Sequence, residues 1–579
     1  MISYLKKIFK IIEEKKFKFL LLSLGSLLSS IFDIIGIGMV GPLVISFLDP
    51  NLLQNLFAKY VPFESNFLLE QSNNNIIIIF FLILLIAFTL KSLISFLITK
   101  EIMKVGFEIQ KDLRNKFIQI FQNLSYEDFL KKKTSELLHA INHLTIVFCQ
   151  NTIVKIFVLF SEIIILFSVV LFLFIINAKI TILILFTLTL IYLFYFFFIR
   201  KRMSIYGTIL GESDQKFLDF GKITMEGFKE IRILQKENFF FDEYKKINKN
   251  FADVHLKYDT VLILPKFLLE SSIILVIMIM TISIVLFSEN SSNSIPLIGI
   301  FAVSAARIVP VVYNIFNSIG TIIGSSYSID RIENLLKQSS FDLNNKKDKQ
   351  IFSEKNHQFS SIELNDLSFG YADNNIFKDL NITINKGEIV GISGDSGSGK
   401  TTLINLLIGF LKPKTGTIKV NSFEIYEDLK RWQSMVSYIS QQNFVYGASI
   451  IENITLEKDL KKINIEQFNK ALQSAHLFEF VDKLPNKENT ILSDNILNIS
   501  GGQKQRISIA RSFYFNRDFI ILDESLNALQ EDLQEQIIRE LKNNQNNLTV
   551  LIVSHNKKNL FLCDYILELK NSRISKLKN

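Results

Sequence analysis

Six apolar stretches fill the first half of the chain, near residues 17–48, 76–99, 152–176, 180–199, 260–287 and 295–324. A bilayer core about 30 Å thick needs roughly 20 helical residues at a rise of about 1.5 Å each, and every stretch reaches that length. Each is therefore read as a membrane-crossing helix. The composition agrees: of 579 residues 49% are hydrophobic and 21% charged, with 53 Phe against 8 Pro, which excludes intrinsic disorder and suits long apolar helices. The first stretch is too long for a cleaved signal, and no small-residue cleavage site follows it. Cys149 and Cys563 are too few for a disulfide framework and lack metal-ligand spacing, so they are read as inert thiols.

The net charge of +8 acquires meaning from its distribution. Lysines crowd the N-terminal arm (Lys6, Lys7, Lys10, Lys15, Lys16, Lys18), the connection after the second stretch (Lys100 through Lys133) and that after the fourth (Arg200 through Lys257). The remaining connections offer Lys59, Lys179 and then none. Basic loops stay inside, so the N-terminus, both long connections and everything after the sixth stretch are expected in the cytoplasm. An even number of crossings gives the same answer. Lysines at membrane boundaries fit contact with anionic lipid, and no nucleic-acid partner is expected. The two long connections carry helical apolar spacing at Phe107–Leu124 and Phe217–Leu234. They are read as spans continuing into the cytoplasm as helices, with turns near 125–138 and 212–224.

Beyond residue 326 the composition changes. Residues 327–360 read as a linker, rich in Asn, Lys, Asp and Ser from 338, and 361–579 as an α/β domain with a largely parallel sheet. Here Gly394-Asp395-Ser396-Gly397-Ser398-Gly399-Lys400-Thr401 follows a strand pattern and opens a helical one. Glycines there let backbone N–H groups close around a phosphate, Lys400 neutralises phosphate oxygens, and the Thr401 hydroxyl suits Mg²⁺. Thr402 continues the loop into the helix. A second strand, Phe519–Leu522, delivers Asp523 and Glu524 at its C-terminal end, beside the phosphate loop; Asp523 suits the Mg²⁺ shell and Glu524 the attacking water. A third element, Ser500-Gly501-Gly502-Gln503, places a hydroxyl and bare amides at a helix N-terminus, an anion site.

Together these motifs resemble the ABC-type ATPases, with Ser500 to Gln503 as their signature. The whole chain is similar to a half-size ABC exporter of the type IV, B-type build: a membrane all-α domain of six helices (1–326), then an α/β P-loop ATPase domain. The resemblance implies that Tyr371 stacks on adenine, that Gln441 links Mg²⁺ to the membrane domain, and that His555 contacts the γ-phosphate. It also implies ATP and Mg²⁺ as cofactors, coupling helices at 125–138 and 212–224, and a dimer with a second half-transporter, expected as a homodimer, whose signature completes each ATP site. Against the family pattern, Gln530 replaces the usual D-loop aspartate, Ser440 stands at a frequent proline and Asn556 at a frequent arginine. Ser493 and Asn495 dilute the segment before the signature.

The membrane half carries Asp33, Lys91, Lys155, Glu162, Glu270 and Arg307. Charges at that depth pair with one another or face a cavity; in the second reading Lys91, Glu270 and Arg307 line a substrate cavity and the two cations serve an anionic head group. Pro265 and Pro310 are expected to kink their helices. LPKFLLES (264–271), ARIVP (306–310) and a long outer connection 49–75, with room for a helix around Leu52–Tyr60, are similar to flippases of lipid-linked oligosaccharides. Export of a peptide, another lipid or a drug by the same build is the alternative, and a nucleotide-gated channel or regulator a remoter one.

Overall fold

The structure is a computed structural model that describes residues 16–48, 73–287, 295–346, 359–371, 374–492, 499–543, 548–570 and 572–578. The chain forms two compact units: Met1–Leu124 with Phe129–Asp348, and Ser125–Asp128 with Lys349–Asn579.

The first unit is helical. Its elements are α1 (Lys16–Leu48), α2 (Asn73–Gln122), α3 (Thr134–Ile176), α4 (Ala178–Glu226), α5 (Glu237–Phe287), α6 (Ile295–Gly324) and α7 (Ser326–Lys346). Six of them, α1 to α6, are long and apolar enough to cross a membrane. At 50 and 51 residues, α2 and α5 reach about 75 Å, more than twice the bilayer core, so the expected helical extensions are present. Between α3 and α4 the break is a single residue. Asn177 leaves the helical region (φ −154°, ψ 99°), and its side chain accepts a hydrogen bond from Ile180 N at 3.2 Å, capping α4. Pro265 and Pro310 each lie inside a helix, α5 and α6.

Two expectations need correction. The second turn is not at 212–224, which lies within α4; the chain reverses after Gly227, through the short helix Phe228–Ile233 and Gln235 at φ 53°. Gly221 suggests a break, yet a helix tolerates an isolated glycine, whereas Gly227 at ψ 14° ends the helix. Likewise 327–346 is no linker. Its Ile329 and Ile332 are buried with Val105, Phe117 and Phe148 in the core of the first unit, an amphipathic stripe that outweighs the polar composition. The other turn does lie at 125–138, with the short helix Tyr126–Leu130. The proposed outer helix around Leu52–Tyr60 lies outside the described residues.

Leu173, Leu269, Met203 and Ile308 form a second buried cluster in this unit. Many large apolar side chains point outward instead, among them Phe96, Phe167, Ile175 and Phe197. Exposure on this scale in water would be an aggregation liability; in lipid it is the expected state.

The second unit has two sheets. The larger is ordered β10-β9-β3-β8-β7-β6, with β3 (Ile389–Gly394), β6 (Val436–Ile439), β7 (Phe519–Asp523), β8 (Thr549–Val553), β9 (Tyr565–Lys570) and β10 (Arg573–Lys578). All its pairings are parallel except the β9–β10 hairpin. The expected parallel sheet is thus present. An antiparallel sheet of β1 (Ser361–Tyr371), β2 (Asn374–Asn385), β4 (Thr415–Val420) and β5 (Phe423–Glu424) accompanies it. Their burial alternates along β2, as a sheet with one buried face requires. Within this unit the Tyr126 ring stacks on Phe410, centroids 5.0 Å apart.

Candidate nucleotide site

Strand register sets the site. Ile392 of β3 is level with Val553 of β8, and Val553 with Asp523 of β7. The strand that carries the acids, β7, is separated from the phosphate-loop strand β3 by β8. Because the three strands are parallel and in step, their C-terminal ends still deliver the 394–401 loop, Asp523-Glu524 and Ser554-His555 to one edge of the sheet, where open α/β sheets bind ligands.

The loop enters helix α8 (Lys400–Ile408) through left-handed glycines: Gly397 has φ 80° and Gly399 φ 101°. A Cβ on Gly399 would lie 2.7 Å from Ile376 and 2.9 Å from the Phe377 ring, so no other residue fits both the angle and the space. Lys400, 8% exposed, turns its ammonium back to donate to the carbonyls of Gly394 (2.8 Å) and Asp395 (3.0 Å). Ser398 Oγ is buried without a hydrogen-bond partner among the described residues. A cation over a ring of amides at a helix N-terminus, with a spare buried hydroxyl, is a fitting cradle for phosphate oxygens. Thr401 is exposed at its rim and Thr402 buried behind it.

Asp523 is 8% exposed and accepts a hydrogen bond from the Tyr438 hydroxyl at 3.0 Å. Burial holds its carboxyl above the ordinary carboxylate range; the Tyr438 bond and Lys400 pull it down, and the neighbouring Glu524 charge pushes it up. A buried carboxylate that lacks a full counter-charge suits a divalent cation, and Thr401 is the hydroxyl the motif pairs with it. Sequence reading missed Tyr438. Its signal is faint: an aromatic on β6, which pairs with β7 only in the folded sheet.

Glu524 lies just past the strand at φ 50°, a left-handed conformation that costs a non-glycine residue roughly 1–2 kcal/mol. The turn lifts the side chain off the sheet edge. There Glu524 Oε2 accepts from Gln441 Nε2 at 3.1 Å, and Oε1 lies 3.2 Å from His555 Nε2. Three residues from separate segments, selected by sequence for the same chemistry, meet at one carboxylate. An acid held in this way is placed to accept a proton from water.

The remaining residues stand apart from this group. Tyr371 ends β1, 46% exposed, its ring edge-on to Phe369 at 5.2 Å. Ser500 caps helix α9 (Gly501–Phe515): its Oγ accepts from Gln503 N at 3.2 Å, and the Gln503 side chain accepts from Ser500 N at 2.9 Å. This reciprocal capping box is legible as S-G-G-Q. It holds Ser500, Gly501 and Gly502 at the helix start. Gln530 is exposed before the helix Glu531–Asn543, and the Asn556 side chain caps Lys557–Phe561 by accepting from Lys558 N at 3.0 Å. Ser493 and Asn495 lie outside the described residues.

In the first unit Lys91 and Arg307 do come together, but on Asp33. Lys91 Nζ is 2.6 Å from Asp33 Oδ1 and Arg307 donates to Oδ2 at 2.7 Å, with Asp33 2% exposed. This joins α1, α2 and α6. Glu270 does not join that triad; its ion pair is with Lys266, one turn back on α5, at 3.9 Å. Glu162 accepts from Asn314 at 2.8 Å, and Lys155 donates to Asn317 at 3.4 Å.

A phosphate loop, an acid pair at the same sheet edge and a six-helix membrane unit earlier in the chain define a multi-pass membrane protein with a P-loop ATPase domain. Residues 34–309 match the family model for the ABC transporter transmembrane region, and 377–527 that for the ABC transporter. The chain belongs to the ABC transporter family, with its transmembrane region followed by its ATPase domain. Over 215 residues it is 32% identical to an ATP-dependent lipid A-core flippase of Desulfotalea psychrophila, covering 37% of each chain. Over 367 residues it is 29% identical to a lacticin-481/lactococcin-DR transport/processing ATP-binding protein of Lactococcus lactis, covering 62% of this chain and 51% of that one. It thus spans about half or less of the length of these relatives. The structure is similar to that of a bacterial Atm1-family ABC exporter with ATP bound, with a TM-score of 0.73 at 17% identity over 98% of this chain and 96% of that one.

Proposed function

We propose that the protein hydrolyses ATP to move an amphipathic substrate across the cytoplasmic membrane, and that this substrate is a lipid-linked oligosaccharide or polysaccharide precursor. The observation that carries the ATPase reading is the meeting of Gln441 and His555 on Glu524 beside the phosphate loop. Lys400 and the loop amides hold the phosphates of ATP, Tyr371 stacks on the base, and Glu524 takes the proton of the attacking water. Thr401, Gln441 and Asp523 hold Mg²⁺, which supplies charge neutralisation at the phosphates. Because Ser500 serves a site on another copy, the working form is a dimer, taken as a homodimer. Closure on ATP and reopening after hydrolysis drive the membrane helices through the turns at 125–138 and 227–236.

Two observations support an anionic head group. Lys91 and Arg307 converge inside the membrane unit, and Arg307 Nε is buried without a partner among the described residues, a spare donor. The relative of Desulfotalea psychrophila, a lipid A-core flippase by name, favours the same lipid-flipping class; the lacticin transporter favours a peptide substrate as the second reading. The test is reconstitution in liposomes with labelled lipid-linked oligosaccharide. ATP-dependent loss of label from one leaflet, abolished by Glu524→Gln, is the expected result. ATP turnover with peptide transport and no lipid movement would move the assignment to the second reading.

A further inference from the structure

Away from the Asp33 triad, the first unit has a partly open cavity of about 240 Å³ between α3, α4, α5 and the α6–α7 junction. Its walls include Asp214, His143, Asn151, Phe251, Tyr258 and Tyr327. Tight packing fixes two of these rings. A Cβ on Gly211 would lie 2.4 Å from the Tyr327 ring, one on Gly324 2.5 Å from the Tyr258 hydroxyl, and one on Gly207 1.9 Å from the Gly324 carbonyl oxygen. Three glycines on two helices thus let the backbones touch and seat both tyrosines against them. Residues shaped to this degree make a defined pocket rather than a loose gap between helices.

The lining holds one carboxylate, Asp214, and two imidazoles, His143 and His255. Among the described lining residues there is no lysine or arginine, while Asp214 contributes a carboxylate. Its Oδ2 is 2.9 Å from His143 Nε2, a contact that holds the carboxylate in place at the wall. Aromatic faces attract cations through the ring quadrupole, and a carboxylate adds a full charge. The volume falls below the roughly 300 Å³ at which pockets for drug-sized ligands begin, so the ligand is small.

From this we propose that the cavity binds a small organic cation of the alkylammonium or quaternary ammonium class, with Asp214 as counter-ion and Phe251, Tyr258 and Tyr327 as aromatic walls. The ligand is either a free cation or the head of a choline lipid. A molecule seated there touches four helices at once and braces them against relative movement. The site is independent of the nucleotide chemistry proposed above.

Calorimetric titration of the purified full-length protein in detergent with choline and with tetramethylammonium tests this. Saturable binding is expected, weakened about tenfold or more in Asp214→Asn and again in Tyr258→Leu, and unchanged in Glu524→Gln, which separates it from the ATPase assignment. Gly211→Ala, whose Cβ would lie 2.4 Å from the Tyr327 ring and force that wall to shift, should also weaken it while leaving Asp214 intact. In nanodiscs, loss of choline binding with phosphatidylcholine but not with phosphatidylglycerol assigns the site to the lipid head, and equal binding in both assigns it to the free cation. Absence of saturable binding by either cation, or equal affinity in wild type, Asp214→Asn and Gly211→Ala, overturns the proposal.

Discussion

Gln441 donates from Nε2 to Glu524 Oε2 at 3.1 Å, tying the loop after β6 to the acid after β7. With His555 on the other oxygen, neither oxygen of Glu524 lacks a neighbour that can hold it in place. Replacing the acid by its amide keeps the shape and removes the proposed proton acceptor. Glu524→Gln should therefore lower the ATPase rate by about 10²–10⁴-fold, the usual range for a general base, with ATP affinity retained. Parallel turnover and nucleotide-binding measurements check it; equal loss of both would point to misfolding instead.

Tyr438 donates a hydrogen bond to Asp523 at 3.0 Å. Burial already holds that carboxyl above its ordinary range, and the Tyr438 hydrogen bond opposes the rise. Tyr438→Phe removes the opposing bond, so the carboxyl gains its proton at a higher pH than in wild type. A proton on Asp523 would compete with the Mg²⁺ that we propose it holds. The acid limb of the ATPase pH profile should therefore move to higher pH in Tyr438→Phe, and added Mg²⁺ should move it partly back. For folding the sign is the reverse: a raised native value favours the protonated fold, so this group's contribution to stability is present in acid and is lost as pH rises through the native value.

Asp33 pairs with two cations at once. Asp33→Ala leaves Lys91 and Arg307 facing each other in a low-dielectric environment, where removing one member of a buried ion pair costs about 3–5 kcal/mol. Thermal unfolding in detergent should show a large loss for Asp33→Ala. The loss should be smaller for the double variant Asp33→Ala with Lys91→Met, since one stranded cation is gone. Additive losses would mean that the two residues are not coupled.

Gly207 touches the Gly324 backbone. A Cβ there would sit 1.9 Å from a carbonyl oxygen, which must move because no flexible side chain can yield. Gly207→Ala should lower stability by about 1–3 kcal/mol, the range for overpacking. Gly221→Ala, where a Cβ meets nothing within 4 Å, should be neutral or stabilising. Paired melting curves of the two variants decide.

Much of this architecture is legible along the chain, because its signals are local. A span needs length and apolarity, and both are written consecutively from Leu21 to Gly38 as in the other five stretches. The phosphate loop needs glycines at fixed offsets around Lys400, and the capping box needs Ser500 and Gln503 three residues apart. Failures occurred where the deciding interaction was distant. Residues 327–346 look like a polar linker until Ile329 and Ile332 find the core of the first unit. The break near Gly227 and the continuity through Gly221 follow from backbone geometry that composition does not encode.

The sequence by itself determined six crossings, a phosphate-binding loop and the acids that accompany it, since each depends on residue type at short spacing. Only the tertiary structure decided which charges meet. Asp33, Lys91 and Arg307 lie on three helices far apart in the chain, and nothing local states that one carboxylate serves both cations. The same holds for Gln441, Glu524 and His555, brought together by the register of parallel strands, and for Tyr438 beneath Asp523. Strand order and helix packing place such groups within hydrogen-bond reach, and interaction energy at that range depends on distance and burial rather than on position in the chain.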